Sequence, residues 1–141
     1  MEKWLNFRES PDFVKYQLPV LIWMGFIFAL SCVPGSTLAP MEFFDAHLIA
    51  HSLLFGMLYI LGYRALKYQN YSRFLREFSL LAALVLVALY GASDEFHQSF
   101  TPGRTEEFKD LMIDVMAGLV ALLIVMAYER IRNTAKKLEE N

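Results

Sequence analysis

The sequence has little cysteine, a small net charge and few long charged segments. Cys32 is the single cysteine among 141 residues, which excludes an internal disulfide and a zinc site built from several cysteines. The chain carries 13 lysines and arginines against 15 aspartates and glutamates, a formal net charge of −2. Because the basic residues flank apolar blocks and do not form one surface, the pattern excludes a nucleic-acid-binding role.

Apolar residues are present in excess. Hydrophobic residues make up 56% of the chain and aromatic residues 15%, and the mean hydropathy is +0.35. This apolar share is above that of an ordinary soluble domain. The length predicts a single domain over residues 1–141, with a membrane core at about residues 16–128.

Four largely uncharged blocks account for the apolar excess. They cover residues 16–32, 47–63, 78–93 and 111–128. Each block is close to the ~20 residues that an α-helix needs to cross the hydrocarbon core of a bilayer. The sequence therefore predicts an all-α polytopic membrane protein, a bundle of four transmembrane helices in a lipid bilayer.

The distribution of lysine and arginine predicts the orientation of this bundle. The first connection has none, and the third connection holds only Arg104 and Lys109. All the other basic residues lie in the short N-terminal arm, the second connection and the C-terminal tail. Because cytoplasmic segments carry the excess of basic residues, we expect both termini in the cytoplasm. The first and third connections then face outward.

Polar residues in the second and fourth spans lie at the ends that are predicted to face outward. His47 and His51 are spaced i, i+4, as are Asp110 and Asp114, so each pair shares one face of a helix. His51 lies roughly 10 Å below the outer surface, given a rise of ~1.5 Å per residue. Ionisable groups at that depth are costly unless they face the bundle interior and pair with one another.

The third span ends in the polar stretch SDEFHQ, residues 93–98. Asp94 and Glu95 both lie one helical turn from Gln98. Three helix ends are thus predicted to surround one acidic, histidine-lined pocket that opens outward. Each residue also has a structural alternative: Asp94 and Glu95 as a solvated helix end, Asp110 as a helix N-terminal charge, His47 as a surface histidine, and His51 with Asp114 as a hydrogen bond between helices.

A longer stretch, SDEFHQSFTPGRTEEFKDLMIDVMAG at residues 93–118, resembles the motif of the VanZ-like family of small bacterial membrane proteins. The motif reads D-E-x-x-Q, then P-G-R, then D-x-x-x-[DN] followed by Gly. The stretch HSLLF, from His51 to Phe55, is similar to the histidine-plus-aromatic element of the family. The resemblance spans all four predicted helices, and it implies the polar set His51, Glu95, Gln98, Arg104, Asp110 and Asp114.

The resemblance also implies a role in the bacterial cell envelope, in the inner membrane. The family takes its name from a protein linked to low-level resistance to teicoplanin, a glycopeptide antibiotic that binds cell-wall precursors. We therefore expect a protein that binds, or acts on, an envelope lipid or a cell-wall precursor, with a link to glycopeptide resistance.

The first mechanistic hypothesis is acid–base chemistry on such a ligand. Glu95 or Asp114 would act as general base and His51 as proton shuttle. Arg104, after the Pro-Gly turn, would hold a phosphate or carboxylate with its planar guanidinium. The other predicted binding residues are Gln98, Asp94, His97, Asp110 and His47.

The second hypothesis is a divalent metal site. His51, Glu95, Asp110 and Asp114 offer one imidazole and three carboxylates, which suit Mg²⁺ or Mn²⁺. Zn²⁺ would suit the site if His47 or His97 joined it.

The third hypothesis is a role without catalysis, as a channel, a proton path or an assembly factor whose polar cluster holds helices together. Transport by four spans would require a homo-oligomer. The inner halves of the second, third and fourth spans are almost purely apolar, which argues against a continuous polar path.

Overall fold

The computed structural model describes residues 13–35, 44–104 and 108–140, with the backbone alone at residues 44–47. The helices are α1 (Leu18–Ser31), α2 (Phe44–Lys67), α3 (Arg73–Glu77), α4 (Ser79–Gln98) and α5 (Phe108–Glu139). A π-helical turn, Phe13–Gln17, leads into α1, where a proline in the first turn suits a helix start. The described residues contain no strand. Most of the predicted N-terminal arm lies outside the described residues.

Four of these helical segments are long and apolar enough to cross a membrane. They are α1 with its preceding turn, α2 from Leu48, α4 and α5. The predicted all-α architecture with four spanning helices is therefore confirmed. Helices α2, α4 and α5 extend beyond their apolar blocks at the ends that carry the predicted polar residues, so these ends are themselves helical. The tail continues α5 as far as Glu139.

The short helix α3 in the second connection was not predicted. Five residues are too few to show a helical period in the sequence. The helix is defined by its N-cap, because the hydroxyl of Ser72 accepts a hydrogen bond from the backbone amide of Leu75 at 3.3 Å. Gln69, which is almost completely buried, accepts hydrogen bonds from the backbone amides of Tyr71 and Ser72. The connection is thus an ordered turn.

The core of the bundle forms around α2, which contacts α1, α4 and α5. Its largest completely buried side chains include Phe55, Leu58 and Tyr59. Small residues let α4 and α5 approach one another closely. A Cβ on Gly118 would lie 3.1 Å from a methyl group of Val87, a tight contact that a side chain there would have to relieve by a small shift of its neighbours.

Helix α1 is held to the rest of the bundle largely by side-chain hydrogen bonds to backbone carbonyls. The donors are the side chains of Gln17, Trp23 and Tyr90, and the acceptors are the carbonyls of Ala65, Leu54 and Met24, respectively. Such bonds contribute roughly 0.6–2 kcal/mol each between membrane helices. They hold the first span in place although only 17% of its residues are buried.

The outer surface of the bundle is apolar. Leu53, Leu89 and Leu123 on three different helices are 68%, 67% and 64% exposed. Side chains of this kind are stable facing lipid but costly facing water. The surface is consistent with a bilayer environment, and the protein is a multi-pass membrane protein.

Candidate functional site

The center of the site is a buried pair between α2 and α5. Nδ1 of His51 lies 2.9 Å from Oδ1 of Asp114. His51 is 6% exposed and Asp114 is completely buried. The pair forms where the outward-predicted ends of both helices meet in the interior, in the N-terminal part of each helix.

A glycine on α4 makes room for the Asp114 carboxylate. A Cβ on Gly91 would lie 3.1 Å from Oδ2 of Asp114, closer than almost any real contact of that kind. Oδ2 therefore points at α4, and within the described residues it has no hydrogen-bond partner. The sequence gives no strong signal for this role, because a glycine inside an apolar helix is equally explained by close packing.

Glu95, one turn beyond Gly91 on α4, completes the group. One ligand atom from each of His51, Glu95 and Asp114 lies within 4.8 Å of the other two, and all three residues are buried. We call these three residues the His–Glu–Asp cluster. Three separate helices thus bring ionisable side chains to one point inside the bundle.

Asp94 is adjacent to Glu95 in the chain, but its side chain makes different contacts. Its Oδ1 accepts a hydrogen bond from the Ser31 hydroxyl at the end of α1, and its Oδ2 accepts one from Nε2 of Gln98 at 2.9 Å. Successive residues of a helix point about 100° apart. Asp94 therefore faces α1, whereas Glu95 faces α2 and α5.

The turn TPGR docks on the C-terminal end of α1. Nε of Arg104 donates to the carbonyl of Val33 at 3.3 Å, and an Nη donates to the carbonyl of Leu30 at 3.4 Å. The backbone amide of Gly35 donates to the carbonyl of Pro102 at 3.1 Å. A cation favours the carbonyl end of a helix, so these contacts suit an arginine.

The contacts of Arg104 differ from those expected for it. Sequence analysis predicts that its guanidinium holds a carboxylate or phosphate, whereas the described contacts of Nε and Nη2 are to backbone carbonyls of α1 and the residues after it. Binding of an anionic ligand by Arg104 stays a prediction. The turn itself lies at the same end of the bundle as Asp94, since Thr101 donates to the carbonyl of Ser31.

His97 lies on the α1 side of α4. Its Nε2 is 3.3 Å from the Cys32 sulfur, and its ring packs on Phe28 with 4.5 Å between centroids. It is not part of the His–Glu–Asp cluster. Sequence analysis did not single out Ser31 or Cys32 as partners of the SDEFHQ stretch, because residues so far apart in the chain carry no spacing signal.

Two further predicted residues lie on α2 and α5. The side chain of His47 lies outside the described part of the chain. Asp110 is buried, one turn before Asp114 on α5. The atoms that meet within 4.8 Å belong to His51, Glu95 and Asp114 and do not include Asp110. A ligand role for Asp110 or His47 stays a prediction.

A lateral groove of about 680 Å³ runs along the bundle between α2 and α5. Its walls are almost entirely apolar, and Lys109 lines it in the first turn of α5. Ser52 and Ile113, the chain neighbours of His51 and Asp114, also line it. The groove thus extends past the level of the His–Glu–Asp cluster at one end, as far as Lys109, and continues toward the opposite end of the bundle.

The fold and the site together define the class of protein. It is a multi-pass membrane protein of four spanning helices, with a buried group of ionisable residues near one end. The family model described as VanZ/LLP1 matches residues 4–129, and the chain belongs to this family. The match confirms the resemblance on which the sequence analysis drew. No curated protein and no solved structure matches the chain.

Proposed function

We propose that the protein binds, and acts on, an anionic lipid-linked precursor of the cell envelope at the outer side of the bacterial inner membrane. The observation that carries the proposal is the His–Glu–Asp cluster, three buried ionisable side chains on three membrane-spanning helices. Charged groups in this environment are expensive and are kept where they serve ligand binding or proton transfer.

The chemistry that best suits the cluster is general acid–base catalysis. Glu95 or Asp114 would accept a proton from the ligand or from a water molecule. With Nδ1 of His51 directed at Asp114, Nε2 is the ring atom that would pass the proton on. The carboxylate of Asp114 holds the imidazole in position, as a further side chain orients the base in many catalytic sites.

The groove between α2 and α5 supports a lipid as the ligand. Its apolar walls fit a hydrocarbon chain, and Lys109 provides a positive charge at the end where a phosphate headgroup would lie. Leu48 and Met57 on α2 and Met116 on α5 are among its lining residues. An unbranched, flexible side chain such as methionine adapts to chains of varied shape.

The predicted orientation and the family support an envelope role. If both termini are cytoplasmic, the cluster is near the outer face, where lipid-linked precursors of the cell wall are used. A change in susceptibility to teicoplanin-type glycopeptides would be one consequence, because these antibiotics bind cell-wall precursors. The antibiotic phenotype is thus a readout of the proposed function and not the function itself.

The alternative of a proton path or channel within one chain is less well supported. Toward the other end of the bundle, the buried side chains include Leu58, Val87, Ala121 and Val125, which cannot carry protons. The polar contact between Tyr63 and Glu129 lies near that other end. The described part of the core between the two ends is predominantly apolar.

The proposal is tested by lipid binding to the purified full chain. The chain is reconstituted into phosphatidylcholine nanodiscs and titrated with a fluorescent polyprenyl phosphate. We expect saturable binding that Lys109→Ala weakens by about tenfold or more, because it removes a charge–phosphate contact. Lys136→Ala is the matched control, since Lys136 is an exposed lysine of the same helix near its opposite end.

Binding that is unaffected by Lys109→Ala, or equally weakened by Lys136→Ala, would contradict the proposed lipid site. Glu95→Gln separates binding from chemistry. We expect it to retain lipid binding but to fail to restore the envelope phenotype of a deletion strain at matched protein levels. Full complementation by Glu95→Gln would contradict a catalytic role for this carboxylate.

A further inference from the structure

We infer that His51, Glu95 and Asp114 together bind one divalent metal ion of the class represented by Zn²⁺ and Mn²⁺. The inference concerns the same site as the proposed function and adds a cofactor to it. It is carried by the geometry of the cluster, by its donor atoms and by the burial of Asp114.

The geometry is that of a site slightly wider than its ion. Ligand atoms bound at ~2.0–2.2 Å to Zn²⁺ in a tetrahedral site lie roughly 3.4 Å apart. Those of His51, Glu95 and Asp114 all lie within 4.8 Å of one another. The pair His51 Nδ1 and Asp114 Oδ1 is 2.9 Å apart, closer than two ligands of such a tetrahedral site, so an ion would move these two atoms slightly apart. A small rotation of the Glu95 carboxylate would bring its oxygen, the third ligand atom, closer to the other two.

The donor set indicates the class of metal. One imidazole nitrogen with two carboxylate oxygens is the composition of sites for Zn²⁺ and Mn²⁺, whereas Mg²⁺ prefers oxygen ligands and retains several waters. Three protein ligands also leave a coordination position for a water or a phosphate oxygen. The site would therefore be able to activate a water or polarise a lipid phosphate.

The burial of Asp114 is an independent observation that points to a ligand. Asp114 is completely buried, and its Oδ2 has no hydrogen-bond partner within the described residues. This atom lies against Gly91, one turn from Glu95, so it points at the helix that carries Glu95. A buried carboxylate oxygen without a hydrogen bond is destabilising, and a bound cation would offset this cost.

Charge balance supports the same conclusion. Two carboxylates inside a membrane bundle repel one another, and their field is poorly screened. A dication neutralises both, while the neutral imidazole adds a ligand without further charge. Binding would displace the proton shared between His51 and Asp114.

The test is metal binding by the purified full chain. The protein is purified in detergent with EDTA, exchanged into metal-free buffer, and titrated separately with Zn²⁺, Mn²⁺ and Mg²⁺ by calorimetry, with metal content measured by mass spectrometry. We expect one equivalent of Zn²⁺ or Mn²⁺ per chain and weaker binding of Mg²⁺. His51→Ala, Glu95→Gln and Asp114→Asn should each raise the dissociation constant by more than about 100-fold, since changing only the residues that hydrogen-bond to metal ligands already costs ~10–100-fold.

His97→Ala is the matched control, because the exposed Cys32 beside His97 is another pair of potential zinc ligands. It should leave the high-affinity equivalent intact. Binding lost in His97→Ala but kept in Glu95→Gln and Asp114→Asn would overturn the proposed site. Each variant is first checked for unchanged helix content and elution volume, and Glu95→Gln and Asp114→Asn preserve side-chain shape, so the comparison does not rest on His51→Ala alone.

The metal proposal and the lipid proposal give separable results. The polyprenyl phosphate titration is repeated with the EDTA-treated protein and with the metal-loaded protein. Stoichiometric Zn²⁺ or Mn²⁺ binding at the three residues supports this inference whether or not the lipid binds. Lipid binding by a chain that takes up neither ion above the level of Glu95→Gln would overturn it and leave the lipid proposal standing.

Discussion

The hydroxyl of Ser31 donates a hydrogen bond to Oδ1 of Asp94, 63 residues later in the chain. This bond joins the C-terminal end of α1 to the last turn of α4, and both residues are buried. The two adjacent acids of α4, Asp94 and Glu95, therefore have different contacts. Asp94 holds the first span in place, and Glu95 faces the His–Glu–Asp cluster.

Removing the Asp94 carboxylate should weaken the packing of α1. Asp94→Ala removes the acceptor of both Ser31 and Gln98, so we expect a loss of about 1–3 kcal/mol in stability. The measurement is thermal unfolding in detergent, followed by circular dichroism. Ser93→Ala, which removes a hydroxyl bonded within its own helix, is the control and should stay within ~0.5 kcal/mol. Equal stability of the two variants would contradict a structural role for Asp94.

The contact between the first connection and the TPGR turn should depend on Gly35. An added Cβ there would clash with the backbone carbonyl of Gly103, whose own φ of 75° favours glycine. Gly35→Ala should therefore displace the turn and lower the thermal midpoint. Gly25→Ala is the control, because an added Cβ there meets nothing within 4 Å. A Gly35→Ala protein as stable as Gly25→Ala would show that the turn docks elsewhere.

Arg104 should require its guanidinium and not merely its charge. Its two carbonyl contacts to Val33 and Leu30 use two nitrogens of a rigid planar group, whereas an ammonium group donates from a single nitrogen and lacks that fork. We expect Arg104→Lys to impair function, and Arg104→Ala to impair it at least as much, at matched protein levels in the membrane. Full activity in the lysine variant would reduce the requirement to charge, and full activity in both variants would remove Arg104 from the functional site.

Replacing His51 and Asp114 together with leucine should separate stability from function. Exchanging both partners of a buried pair for apolar side chains is often neutral or stabilising, whereas removing one partner leaves the other buried without its contact. We expect the double variant His51→Leu/Asp114→Leu to unfold at the same temperature as the wild type or a higher one, and to lose the envelope phenotype. A marked drop in thermal stability would instead show that the bond between His51 and Asp114 has a net structural value.

The orientation can be tested by thiol labelling of intact cells. Cys32 is exposed and is first changed to serine, which leaves a chain without cysteine. Pro102→Cys in the exposed part of the TPGR turn should react with an impermeant maleimide, whereas Asn70→Cys in the second connection should react only after permeabilisation. The reverse pattern would place the His–Glu–Asp cluster near the cytoplasmic face and contradict an envelope role outside the membrane.

Much of the fold could be predicted because the bilayer imposes strong local constraints. A span must hold about 20 apolar residues and satisfy its backbone hydrogen bonds internally, so the four helices are visible in the sequence. The helix ends were less predictable. The polar residues Asp94 to Gln98 extend α4, because hydrogen bonds to neighbouring helices compensate polar groups that hydropathy alone would place outside the span.

The sequence by itself determined the number of spans, the family and the residue types of the site. Helical spacing placed Asp110 with Asp114, and the unusual depth of His51 and Asp114 marked them as residues that need partners. Only the tertiary structure decided which partner each one has. The adjacent acids Asp94 and Glu95 face different helices, and Arg104 contacts the end of α1. His51, Glu95 and Asp114 come together in one cluster. These contacts depend on how each helix is rotated and on the close approach of α4 and α5 that Gly91 allows. Neither of these has a local signal in the sequence.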